Sequence, residues 1–141
     1  MEPVRIIVVG EDRVMGELIV LNLRQRGYLA RWVSETGVQA GHVDGRLLSS
    51  AQAIIVDDGD TDAGVWRLAR ALRDQQELLH IPLMLLVATW PDRRRVAALA
   101  PCSWLHKPYS MATLISELER SLAGARLAEV CAVDSGASER C

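Results

Sequence analysis

Ala53-Ile54-Ile55-Val56-Asp57-Asp58 is a short apolar run that stops abruptly at charge, and two other segments of the chain are built the same way. Ile6-Ile7-Val8-Val9 leads into Gly10-Glu11-Asp12, and Ser103-Trp104-Leu105-His106 into Lys107-Pro108. Each run is too short for a buried helix, is largely β-branched or apolar, and ends in polar residues, as a strand covered on both faces must. In an open parallel α/β sheet the carboxyl ends of the strands share one rim, where ligands bind. Carboxylates from the first and third strands can therefore meet a lysine from the last.

Working outward, strands and helices alternate. Val14, Leu18, Ile19 and Leu21 recur at helical spacing up to Arg26, and Gly27 is a helix stop. Tyr28 to Val33 reads as a second strand. Ser34 is placed to cap a second helix carrying Val38, Val43, Leu47 and Leu48, weakened by Gly37, Gly41 and Gly45 at about 1 kcal/mol each relative to Ala. After the polar loop from Asp58 to Ala63, Val65, Leu68, Ala69 and Leu72 mark a third helix, and Ile81 to Ala88 a fourth strand. Pro91 suits the first turn of a fourth helix that Pro101 ends. The last helix starts near Ser110, with Met111, Leu114, Ile115, Leu118 and Leu122 on one face, and Ala132 to Cys141 is a small, polar segment expected to fray. The fold class is α/β, a doubly wound five-stranded parallel sheet with five flanking helices, since right-handed crossovers are nearly obligatory between parallel strands.

Composition narrows the function. With 141 residues, 50% of them hydrophobic, the chain fits one domain with a sizeable core. A net charge of −2 with both signs interspersed lacks the basic stripe of a nucleic-acid or membrane-surface module. No apolar stretch approaches the roughly 20 residues needed to span a bilayer, and Met1-Glu2-Pro3 leads straight into a strand without a signal-peptide pattern. Cys102, Cys131 and Cys141 show neither disulfide nor zinc spacing, so a cytoplasmic protein with reduced thiols is the default.

These features together resemble the receiver domain of two-component response regulators over roughly Val4 to Leu122. The resemblance rests on the acidic cluster after the first strand, Asp57 closing the third, Gly64 in the loop beyond it, Ile81-Pro82 opening the fourth strand, and Lys107-Pro108-Tyr109 after the fifth. It implies the flavodoxin-like receiver fold with strand order 2-1-3-4-5, a receiver at residues 1–123, and a helix extension and disordered tail at 124–141. It also implies transfer of a phosphoryl group from a phosphohistidine of a sensor histidine kinase to Asp57. Glu11, Asp12 and Asp57 would hold Mg²⁺, which offsets the repulsion between two anions and favours carboxylate oxygens with several waters. Lys107, a compact charge on a long stem, would contact the phosphoryl oxygens, and the Lys107–Pro108 bond is expected to be cis.

The chain departs from the family pattern at several positions. Gly10 stands where receivers usually carry their first acid, and Glu11 replaces the commoner aspartate, so weaker metal binding is expected. Val87 occupies the switch position of a Thr or Ser, nearly the same shape without the donor. Thr89, two residues on, is a substitute only if the loop curls back. The loop from Asp57 to Gly64 is one residue short, lacks the customary proline, and carries Asp58, Asp60 and Asp62. Their spacing imitates a calcium loop, but position twelve would be Ala69 rather than Glu. Glu11 and Asp12 can equally serve only as helix-start acids. Trp104 matches the family's aromatic switch position. Trp90, Arg94 and Tyr109 lie on the face of fourth helix, fifth strand and fifth helix that receivers use for a downstream partner or a homodimer, and residues of these types are enriched at interfaces.

Two functions follow from this reading. The first is an atypical phosphoacceptor receiver that signals through protein contacts rather than catalysis. The second is a pseudo-receiver interaction module that acts independently of phosphorylation. A flavodoxin or phosphatase reading fails at Gly10-Glu11-Asp12, which neither cradles a phosphate nor offers an aspartate pair spaced by one residue.

Overall fold

The structure, a computed structural model, describes residues 3–35, 45–57 and 62–133, with side chains as far as Ala125. In chain order the elements are β1 (Arg5–Gly10), α1 (Arg13–Gln25), β2 (Leu29–Ser34), α2 (Gly45–Ser49), β3 (Ala53–Asp57), α3 (Asp62–Arg73), a 3₁₀ turn (Gln76–Leu78), β4 (Leu83–Val87), α4 (Arg93–Ala97), β5 (Cys102–His106) and α5 (Met111–Val133). The five strands are all parallel and lie in the order β2-β1-β3-β4-β5.

The sheet is buried on both faces, so side-chain alternation sorts its residues into two layers. Ile7, Val9, Ile54, Val56, Leu83, Leu85 and Val87 pack with Leu48 of α2 and with Val65, Leu68, Ala69 and Leu72 of α3. On the other face Ile6, Val8, Ile55, Met84 and Leu86 pack with Ile19, Val20 and Leu23 of α1 and Leu114, Ile115 and Leu118 of α5. Every residue of β3 and β4 is buried, whereas β5, at the edge, has only Leu105 fully covered. Burial of one such aliphatic side chain contributes about 2 kcal/mol.

Helix α1 ends as its sequence dictates. Gly27 takes a left-handed φ of 92°, and the N–H groups of Gly27 and Tyr28 donate back to the carbonyls of Arg24 and Leu23 at 3.0 and 3.1 Å, which is a Schellman stop. The buried face of this helix is Gly16, Ile19, Val20 and Leu23. Val14, Leu18 and Leu21, although helically spaced, point to solvent.

Ser34 is the last residue of β2 and directly precedes the helical Glu35, the position of a cap. Two boundaries differ from the sequence reading. Pro91 lies before α4, whose N-cap is Asp92, its carboxylate accepting the Arg94 N–H at 2.9 Å. Helix α5 runs on through Ala132 to Val133. Gly37, Val38, Gly41 and Val43 of the expected second helix, Asp58 and Asp60 of the acidic loop, and residues 134–141 lie outside the described residues.

Candidate functional site

The carboxyl ends of β1, β3, β4 and β5 form one rim. Gly10 pairs with Asp57 across β1 and β3, Val87 with His106 across β4 and β5, and the Lys107 N–H donates to the Val87 carbonyl at 2.8 Å. Asp57 is one of the few buried charged residues, 5% exposed, and the Lys107 Nζ donates to its Oδ1 at 2.6 Å. A carboxylate removed from water this far requires a partner of opposite charge. The Lys107–Pro108 bond is cis, as the resemblance implies, and so is Ala100–Pro101.

The other acids are arranged less tightly. Glu11 and Asp12 are both exposed, and Asp12 caps α1, accepting the Met15 N–H on Oδ1 at 3.1 Å. Gly10 is buried with no room for a side chain: a Cβ there would lie 1.7 Å from the carbonyl oxygen of Asp57. Among the described residues no group of three or more His, Cys, Asp or Glu is placed to hold a metal ion. Asp57 closes β3 and Glu11 follows the last residue of the adjacent β1, and carboxylates are the donors that a hard cation keeping most of its waters takes. Tyr109 brings a further polar atom: its hydroxyl is buried and has no partner among the described residues. Burial, reinforced by the charges of Asp57 and Asp12, pushes its pKa up to about 12.

Of the expected switch residues, Val87 is fully buried in the layer facing α2 and α3, and Thr89 is exposed. The loop that follows β4 is tied down elsewhere. The N–H groups of Ala88 and Thr89 donate to Asp62 Oδ1 and Oδ2 at 2.8 and 2.9 Å, reaching back to the first residue of α3. Spacing in the sequence offered no sign of this contact across 26 residues, although Asp62 belonged to a conspicuous acidic run.

Next in the loop, Trp90 is 70% exposed yet held by rings on β5. It meets Trp104 edge-on, centroids 4.9 Å apart, and stacks on His106 at 5.0 Å with the planes 17° apart. These residues, together with Tyr109, Thr113 and Glu117, line an open groove of about 610 Å³. Trp104 leans on the α2–α4 layer, whereas Tyr109 packs into the α1–α5 layer, so the two expected interface aromatics belong to opposite faces of the sheet. Arg94 is exposed on α4, and the neighbouring Arg95 lies over the Trp66 ring at 4.4 Å.

No family model and no curated sequence matches the chain. Solved structures do. Chemotaxis protein CheY4 of Vibrio cholerae is similar at 19% identity and a TM-score of 0.66, over 85% of this chain and 99% of that one. A sensor protein of Polaromonas sp. JS666 is similar at 26% identity and a TM-score of 0.65, over 89% and 99% of the two chains. The receiver domain of sensor histidine kinase PA1611 of Pseudomonas aeruginosa, solved with a magnesium ion coordinated in its active-site cleft, is similar at 25% identity and a TM-score of 0.64, over 86% and 99%.

Proposed function

We propose that this chain, which has the fold of a response-regulator receiver domain, accepts a phosphoryl group from a histidine kinase on Asp57 and signals through protein contacts. The observation that carries the reading is the 2.6 Å ion pair between Lys107 Nζ and Asp57 Oδ1, on a buried carboxylate at the rim of the sheet. In the transfer a carboxylate oxygen of Asp57 bonds to phosphorus while the phosphorus–nitrogen bond of the phosphohistidine breaks, and the departing imidazole takes up a proton. Lys107 positions the nucleophile before the reaction and stays within reach of the oxygens that gain negative charge. When bound, Mg²⁺ held by Asp57 and Glu11, with Asp12 near or through water, would supply further charge neutralisation. The absence of a carboxylate at Gly10 favours weak metal binding.

The receiver corresponds to residues 1–123, with residues 124–141 as an extension. A cytoplasmic location suits a kinase partner, and none of the helices among the described residues is long and apolar enough to cross a membrane. Trp90, Trp104 and Arg94 are the contacts for a downstream protein or a second copy, with Tyr109 at the border of the groove.

Intact mass after incubation with acetyl phosphate, with and without Mg²⁺, tests the proposal. The expected result is a Mg²⁺-dependent gain of one phosphoryl group that Asp57→Asn abolishes. A second reading, an interaction module independent of phosphorylation, is favoured by the buried Val87, which has no hydroxyl to offer. An unmodified mass with the fold intact would reject the first reading in favour of the second.

A further inference from the structure

Two consecutive backbone N–H groups aimed at one place make a seat for an anion. At the exit of β4 that seat is filled from within the chain, because Asp62 takes the Ala88 and Thr89 donors on its two carboxylate oxygens at 2.8 and 2.9 Å. Asp62 also lies in the first turn of α3, where the helix dipole favours a negative charge. The seat is close to Asp57 in the sheet, since Val56 of β3 pairs with Leu85 of β4 and Val87 is tied to Lys107. Immediately after the clamped residues, Trp90 rests on Trp104 and His106.

We infer that Asp62 is an internal anion that latches the segment Ala88–Trp90 in one conformation and so holds the Trp90–Trp104–His106 platform in place whatever the state of Asp57. The inference deepens the reading of Asp57 as a phosphoacceptor and rests on it for its regulatory meaning. A phosphoryl group on Asp57 is a competing anion for the same two donors, and Val87 offers it no hydroxyl. While Asp62 keeps the donors, the charge that arrives at Asp57 does not reach the platform. The chain is then a receiver whose output face is set by its own carboxylate.

Amide exchange and chemical shifts measured by NMR on the full chain test this in two steps. Without ligand, Asp62→Ala should speed exchange at Ala88 and Thr89 at least ten-fold and shift the Trp90 indole resonance, with core amides such as Ile55 unchanged. Asp62→Asn, which keeps the size but has one acceptor oxygen, should fall between. Unchanged exchange at Ala88 and Thr89 in both variants would overturn the latch. With beryllium fluoride and Mg²⁺ as a phosphoryl mimic, the Asp57 and Lys107 amides should shift in the natural chain and in Asp62→Ala, whereas Ala88, Thr89 and Trp90 should shift only in the variant. A Trp90 response of equal size in both overturns the latch. Silence at Asp57 and Lys107 in both proteins rejects the phosphoacceptor instead, and the ligand-free step then decides the latch alone.

Discussion

Gly10 pairs with Asp57 where β1 and β3 end, and the Asp57 carbonyl occupies the space of its missing Cβ. A methyl group there meets backbone rather than a yielding side chain, so Gly10→Ala should destabilise by about 3 kcal/mol, at the upper end of ordinary overpacking. The urea midpoint measures this, and an unchanged midpoint would mean the strand ends move apart freely. For the same reason Gly10→Asp is not a simple way to restore a missing metal ligand. At this scale the sequence was legible where chemistry and strand ends coincide. Asp57 and Lys107 follow from three apolar runs that stop at charge, and the structure brings them within 2.6 Å. Asp12, read as a candidate ligand or a helix-start acid, caps α1 in its contact with Met15. The grip of Asp62 on Ala88 and Thr89 was not legible, because a side chain binding distant backbone amides leaves no mark on periodicity or composition.

Among the elements, α3 was read most fully, since Val65, Leu68, Ala69 and Leu72 are all buried as their spacing indicates. Helix α1 was read as a helix, but Val14, Leu18 and Leu21 form its outer side, because apolar residues occupy both faces and periodicity alone does not choose between them. Helix α4 is shorter than its flanking prolines suggest and buries none of its own residues, so its position depends on neighbours. One of these is Arg73, at the end of α3. Its Nε, Nη1 and Nη2 donate to the carbonyls of Leu99, Leu78 and Pro101 at 2.7, 2.6 and 2.6 Å, joining α3, the 3₁₀ turn and the approach to β5. An arginine near a helix end reads in sequence as a solvated charge, yet here it is 8% exposed. Arg73→Met keeps the apolar stem but removes all three bonds. The Pro101 and Leu78 carbonyls retain the Leu83 and Ile81 N–H groups, whereas the buried Leu99 carbonyl loses its side-chain donor, and an unsatisfied buried group costs about 1–3 kcal/mol. The variant should lose about 1–3 kcal/mol in chemical denaturation, with Lys at the same position recovering only part of it, since a point charge does not reproduce the planar fork. Equal stability of Arg73→Met and the natural chain would show that the Leu99 carbonyl finds another donor and that the backbone N–H groups already on Leu78 and Pro101 suffice.

The whole molecule is two apolar layers on one sheet, and that much followed from strands buried on both sides and from the alternation of elements. What the alternation did not reveal is how the layers close around polar groups at their margins, and this sets the response of the fold to alkali. Burial raises the Cys102 thiol from 9.0 to about 11, with Arg73 opposing the shift. Burial, then Asp57, then Asp12 raise the Tyr109 hydroxyl from 10.0 to about 12. Both groups are neutral when protonated, and both hold their protons more tightly in the folded chain than in the unfolded one. The unfolded chain therefore releases protons first as pH rises, and folding stability falls. The contribution of Cys102 is intact below pH 9 and is lost between about pH 9 and 11, and that of Tyr109 is intact below pH 10 and lost between about 10 and 12. Tyr109→Phe removes the second loss together with a buried hydroxyl that has no partner among the described residues, so it should leave stability at pH 8 equal or slightly higher. The decisive comparison is the fall in urea midpoint from pH 8 to pH 11 in the two proteins, which should be smaller in Tyr109→Phe. An identical fall would place the Tyr109 hydroxyl in contact with water, outside the influence of Asp57 and Asp12, and would separate it from the acidic rim on which the proposed chemistry depends.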